Sequence, residues 1–188
     1  MKPPTKAQLA RAARRDRIVA AAREIAQVEG WGAVTVRRLA DAIAFSQPVL
    51  YSHFPDGRDG IVRAVALEGF THIAAALAGA GPDVPAHLRL RPVAECYLAF
   101  AQEHPAVYEA MFSGPTDLAF ATPAAPEQLR AGFAALAAVV GGDETRAETL
   151  WSALHGLADL ARHGRLRPGR EPDRLTVLVE LFAGPAAG

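Results

Sequence analysis

Apolar positions recur along most of the chain at helical spacing. Ile18, Ala22 and Ile25 fall at i, i+4, i+7. Val36, Leu39, Ala40 and Ile43 fall at i, i+3, i+4, i+7, and Leu175, Leu178, Val179 and Phe182 repeat that pattern. Leu150, Leu154, Leu157, Ala158 and Ala161 extend it over a longer stretch. One face of an α-helix repeats in this way, whereas a half-buried strand alternates. No convincing alternating stretch occurs, and neither does a repeat of fixed period. Breakers fall at Gly30-Trp31-Gly32, Pro55-Asp56-Gly57, Gly79–Pro85, Gly114-Pro115, Pro123–Pro126, Gly141-Gly142 and Gly164–Pro172. Segments of helical length lie between them, so the pattern predicts an all-α chain of about nine helices.

The first three helices have specific joints. The first is expected over 7–29, stopping at Gly30. Thr35 is a good N-cap for a second helix over 36–43. Ala44-Phe45 leaves room only for a tight turn. Ser46 then stands at the cap of a third helix, with Pro48 in its first turn, where a missing N–H costs nothing. Two short helices joined by a three-residue turn form a helix-turn-helix. This places an N-terminal three-helix domain at 1–56 and a second helical domain at 57–188.

Charge changes meaning once it is divided along the chain. The formal net charge is zero, with 20 basic and 20 acidic residues, which at face value argues against a phosphate-binding protein. Residues 1–63, however, hold 11 basic and 6 acidic side chains, and residues 64–188 hold 9 and 14. The basic excess concentrates in the first 23 residues, with 7 basic and 1 acidic. A basic head and an acidic body are therefore hidden in a neutral average. Cys96 is the single cysteine, which excludes an intrachain disulfide framework and a multi-cysteine zinc site. No apolar run approaches a membrane span, and Arg23 and Glu24 interrupt any signal-peptide core after Ala20–Ala22. A cytoplasmic protein without a membrane partner is expected.

In a helix-turn-helix the second helix enters the major groove, and its N-terminal residues meet base edges. Here that helix reads Gln47-Pro-Val-Leu-Tyr-Ser-His-Phe54. Leu50 and Phe54, at i and i+4, should face the other helices. Gln47, Pro48, Val49 and Tyr51 then point outward. Gln47 suits adenine N6/N7 and Val49 a thymine methyl. Tyr51, His53 and Arg58 are better phosphate ligands than base readers. Thr35 and the free N–H groups that open the second helix suit another phosphate, with Arg37 and Ser46 alongside. The basic arm Lys2–Arg17 either tracks phosphates or is a solvated tail.

The stretch Thr35-Val-Arg-Arg-Leu-Ala-Asp-Ala-Ile-Ala-Phe-Ser-Gln-Pro-Val-Leu-Tyr-Ser-His-Phe54 resembles the DNA-binding domain of the tetracycline-repressor (TetR) family. Leu50, Tyr51, His53 and Phe54 match the family's Leu-Tyr-x-His-Phe pattern, and Gly30, Gly32 and Thr35 match its loop after the first helix. The resemblance covers about residues 14–66. It implies a homodimeric, ligand-responsive regulator, usually a repressor, on a palindromic stretch of double-stranded DNA. Two positions depart from the pattern. Ala44 stands where the turn often has Gly, and Gly57-Arg58 where a Lys usually precedes the fourth helix.

The C-terminal part, with Tyr97-Leu-Ala-Phe-Ala101, His104–Phe112 and Trp151-Ser-Ala-Leu-His155-Gly156, resembles a TetR subgroup whose ligand domain carries Trp-x-x-x-His-Gly. That resemblance implies that the last two helices, about 143–164 and 172–184, form the dimer interface. Leu154, Gly156, Leu175, Leu178, Val179 and Phe182 are its candidate residues. Tyr97, Phe100, His104, Tyr108, Phe112, Phe133, Trp151 and His155 could line a pocket for a small apolar effector, since such pockets are mostly apolar with few polar groups. Ordinary core packing is the alternative, and His104 could simply cap a helix junction before Pro105. His155, Asp159 and His163 share a helix face at i, i+4, i+8, but no further spacing supports a metal site. Neither a metal nor a cofactor is expected. Arg162, Arg165, Arg167 and Arg170 read as a solvated helix end. A small α-helical enzyme would need a converged catalytic set, and no nucleophile motif is present. A helical interaction module without a DNA role is the third reading.

Overall fold

The computed structural model describes residues 3–85, 88–114, 118, 119, 122 and 124–183. Among these the chain is all-helical: α1 Lys6–Glu29, α2 Val36–Ile43, α3 Gln47–His53, α4 Arg58–Gly79, α5 Leu90–Glu103, α6 Pro105–Phe112, α7 Glu127–Val139, α8 Glu144–Arg162 and α9 Glu171–Phe182. A single 3-10 turn, Trp31–Ala33, lies between α1 and α2. The nine α-helices agree with the number read from the apolar period.

Local chemistry sets the ends. Thr5 opens α1 with a capping box: its hydroxyl accepts the Gln8 N–H at 3.2 Å, and the Gln8 carboxamide accepts the Thr5 N–H at 2.7 Å. Each bond satisfies a donor that a helix start would otherwise leave free. The basic stretch is thus helix from Lys6 onward rather than a tail; Lys2 lies outside the described residues. Thr35 caps α2 by accepting the Arg38 N–H at 3.2 Å. Asp143 does the same for α8, through the Arg146 N–H at 3.0 Å. Ser46 occupies the cap position of α3, but only its carbonyl serves, accepting the Val49 and Leu50 N–H groups. Its hydroxyl makes no capping bond, which corrects the expectation of a side-chain cap.

The chain forms two compact units. One comprises residues 1–69 and 106–117, the other residues 70–105 and 118–188. The first half of α4 and all of α6 but Pro105 therefore belong with the helix-turn-helix. A buried bond fastens α6 there: the Trp31 indole Nε1 donates to the Ala106 carbonyl at 2.8 Å. Gly69 allows a close approach in the same unit. A Cβ there would stand 2.6 Å from Met111 Sδ and from Val107 Cγ1. The core of this unit includes Ile18, Val19, Ala22, Leu39, Leu50, Phe54, Ile61 and Tyr108.

In the second unit α5 packs on α7, α8 and α9, and α8 packs on both α7 and α9. Its core includes Val93, Tyr97, Phe100, Leu136, Leu150, Leu154, Leu175 and Leu178. Arg91 reaches the Thr176 hydroxyl at 3.0 Å, and Arg146 reaches the Phe182 carbonyl at 2.9 Å, so α9 is held at its middle and at its C-terminal end. Contrary to the sequence expectation, one helix, α4, is long and apolar enough to cross a membrane by length and composition. More than half of its apolar window is buried inside the protein, as in a core helix.

Candidate functional site

The first unit presents one face of α3 to solvent. Leu50 and Phe54 are buried; their i, i+4 spacing puts them on one side, with α3 packed on α2 and Arg15 of α1 over the Phe54 ring. Ser46, Gln47, Pro48 and Tyr51 are consequently exposed, and Val49 is half-exposed. Thr35 and Arg37 are exposed at the start of α2. The Thr35 hydroxyl is already a cap acceptor, which leaves its own hydrogen to donate. The turn between the helices depends on Ala44, whose φ of 55° and ψ of 42° are left-handed. The Tyr51 ring lies against Gly57: a Cβ at that residue, with φ of 59°, would be 3.3 Å from the ring. Both the backbone and the space favour glycine there.

Arg58 is more occupied than a phosphate ligand would be. Its Nε donates to the Val34 carbonyl at 3.1 Å and an Nη donates to the Trp31 carbonyl at 3.0 Å. Its other Nη lies 3.8 Å from Asp59. The guanidinium holds the loop that aims α2, so its observed contacts are structural rather than those of a free cation. His53, at the end of α3, is half-buried. Burial and the neighbouring Arg11, Arg14 and Arg15 push its pKa below the ordinary value of 6.5, so it is neutral at pH 7.

The eight aromatic and histidine candidates are divided between the two units. Tyr108 and Phe112 sit on α6 in the first unit, with ring centroids 4.7 Å apart. The other six belong to the second. There the Trp151 indole Nε1 donates to the Tyr97 hydroxyl at 3.1 Å, joining α8 to the buried face of α5. The Phe100 and His104 rings meet edge-on at 5.0 Å, but His104 is exposed and forms the C-cap of α5. Phe133 is half-buried. His155 is also half-buried, and desolvation lowers its pKa despite the opposing pull of Asp159. Asp159 in turn accepts from Arg162 at 3.2 Å and lies 3.5 Å from His163. Among the described residues, no three His, Cys, Asp or Glu side chains are placed to hold a metal ion.

The candidate interface residues of α8 and α9 fall on two faces. Leu154 and Leu175 are buried within their own unit. Gly156, Leu178 and Phe182 line a shallow apolar groove along both helices. It is lined by Ala153, Gly156, Leu157 and Leu160 of α8 and by Val177, Leu178, Leu181 and Phe182 of α9. Leu178 forms its floor, Val179 is half-buried, and nothing lies within 4 Å of where a Gly156 Cβ would stand. Sequence reasoning missed Leu160, Val177 and Leu181, which are exposed; the signal for the last two was a second apolar stripe on α9.

A three-helix reading head with its second short helix outward, joined to a separate helical unit, defines a helix-turn-helix regulator. Comparison with known proteins specifies which kind. Residues 18–65 match the model for bacterial regulatory proteins of the tetR family, and residues 90–180 match the tetracyclin repressor-like C-terminal domain. The two matches together span most of the chain, which belongs to the TetR family of DNA-binding transcriptional regulators. No curated protein sequence matches it. Solved structures share its fold. A protein of unknown function from Rhodococcus sp. RHA1 is 24% identical with a TM-score of 0.73, covering 90% of this chain and 92% of its own. A tetR-family regulatory protein from Rhodococcus RHA1 is 22% identical with a TM-score of 0.64, covering 91% and 97%. The multidrug binding protein EbrR, solved with imidazole, is 21% identical with a TM-score of 0.63, covering 93% and 92%.

Proposed function

We propose that the chain is a homodimeric, cytoplasmic repressor that binds a palindromic operator and is released by a small apolar ligand. The exposed face of α3 carries this reading: Gln47, Pro48 and Tyr51 stand outward over a fully apolar anchor of Leu50 and Phe54. Gln47 and Val49 read bases, and Thr35, Arg37, Ser46, Tyr51 and His53 hold phosphates. The groove on α8 and α9 supports the dimer, because two copies related by a two-fold axis would cover each other's Val177 and Leu181. Such a dimer sets two α3 helices into major grooves about one helical turn, 34–36 Å, apart or somewhat more. Tyr97, Phe100, Trp151 and His155 are the effector residues that the second unit brings onto α5 and α8. Trp151-Ser-Ala-Leu-His155-Gly156 carries the proposed Trp-x-x-x-His-Gly subgroup. A ligand that binds better to one conformation shifts the protein toward it, and its differential affinity sets the loss of DNA binding.

Selection of bound sequences from random DNA tests the reading. An inverted repeat should emerge, and Gln47→Ala should change the preferred bases within each half. A substitution at Gln47 that lowers affinity for every sequence alike would contradict its role as a base reader.

A further inference from the structure

Three of the α1 arginines make contacts at the ends of α2 and α3. Arg11 and Arg15 continue the stripe of Ile18, Ala22 and Ala26, the buried face of α1, toward its N-terminus. α1 packs on α2, and the arginines toward its N-terminus reach the end of α3. Arg11 Nη donates to the Ser52 carbonyl, in the last turn of α3, at 2.8 Å. Arg15 lies over the Phe54 ring, 4.8 Å from its centroid. Arg17 Nη donates to the Ile43 carbonyl, the last residue of α2, at 3.2 Å, and sits 4.8 Å over the Phe45 ring. Each cation thus meets the carboxyl end of a helix, where the unpaired carbonyls and the dipole favour positive charge.

We infer that Arg11 and Arg17 are positioning residues that fix the angle of α3, and so determine sequence specificity, rather than phosphate ligands. The inference rests on the DNA-binding reading. The two helices of the motif are short, and their turn is left-handed at an alanine. Local sequence alone holds their mutual angle weakly. The carbonyl targets lie 41 and 26 residues from the arginines, so the clamp forms only in the folded unit. The depressed proton affinity of His53 agrees with cations that gather at this end of α3.

Arg14 lies one turn from Arg11, exposed, and Arg14→Gln removes the same charge. Comparing Arg11→Gln with Arg14→Gln in the full-length protein separates geometry from charge. Relative to Arg14→Gln, Arg11→Gln should bind the selected sequence about tenfold more weakly, the scale of one charge-assisted bond. Affinity for random DNA and the slope of log K against log salt should match between the two variants. Arg11→Lys, which keeps the charge and one donor group, should recover part of the specific affinity. In the free protein, the Leu50 and Phe54 amides should exchange several-fold faster in Arg11→Gln than in Arg14→Gln. A slope shallower by about 0.9 in Arg11→Gln, with equal losses on specific and random DNA, would make Arg11 a phosphate ligand. Identical behaviour of the two Gln variants would also overturn the inference. If the native chain binds no DNA, the DNA-binding reading fails, and the exchange comparison still decides the clamp.

Discussion

Leu181→Ala should separate dimer formation from folding. Leu181 is 74% exposed and Val177 54% exposed, both on the groove face of α9. Fully burying a leucine contributes about 1.5–3 kcal/mol, so covering what remains of Leu181 contributes about 1–2 kcal/mol per copy. A two-fold interface counts the residue twice. The dimer should therefore weaken by about 2–4 kcal/mol, or roughly thirty- to a thousand-fold in its dissociation constant. The folded protomer should lose less than about 0.5 kcal/mol, since it never buried the side chain. Leu178→Ala is the opposite case. Leu178 is 4% exposed, so its truncation should cost about 2–5 kcal/mol of protomer stability. Sedimentation velocity over a concentration series reads the first effect, and urea unfolding below the dimer dissociation constant reads the second. A Leu181→Ala protein that dimerises like the parent would refute the assignment of this groove. So would a parent chain that stays monomeric at high concentration.

Three further outcomes test other joints. Ala44→Gly should stabilise the protein by about 0.5–1 kcal/mol in urea unfolding, because an alanine at φ of 55° is strained and a glycine is not. Arg58→Met should lower stability by about 1.5–3 kcal/mol, since two loop carbonyls lose a charged donor; an unchanged urea midpoint would return Arg58 to a phosphate role. The third outcome follows from His155, whose folded-state pKa lies below its ordinary 6.5. The unfolded chain takes up a proton there before the folded one does, so stability is complete above about pH 6.5 and falls as pH drops below it. His155→Gln should flatten that fall between pH 7.5 and 5.5, and an unchanged pH profile would show that His155 does not drive it.

The reading head was legible in the sequence because its signals are local. Thr35, Pro48 and the i, i+4 pair Leu50 and Phe54 each act within one turn, and α2 ends at Ile43 as its apolar period requires. What the sequence concealed depends on distant partners. A basic run reads as charge for DNA, and nothing nearby signals that Arg11 and Arg17 end on carbonyls of α3 and α2. The Trp31 bond to Ala106 spans 75 residues and ties α6 to the first unit. On α9, two stripes have helical spacing. Leu175, Leu178, Val179 and Phe182 form one, and Arg174, Val177, Leu178 and Leu181 form the other. Only packing against α5 and α8 decides which of them faces the protomer's own core. The aromatic candidates share a composition suited to a pocket, yet composition could not reveal that Tyr108 and Phe112 fold with the reading head.

The central claim is that α3 reads DNA in pairs. Its most direct test is the affinity of the purified protein for its selected sequence, measured against salt with wild-type and Gln47→Ala chains. An inverted repeat bound with log K falling steeply and linearly in log salt, and altered base preference for Gln47→Ala, is the expected result. No enriched sequence, or binding indifferent to salt, would contradict the account.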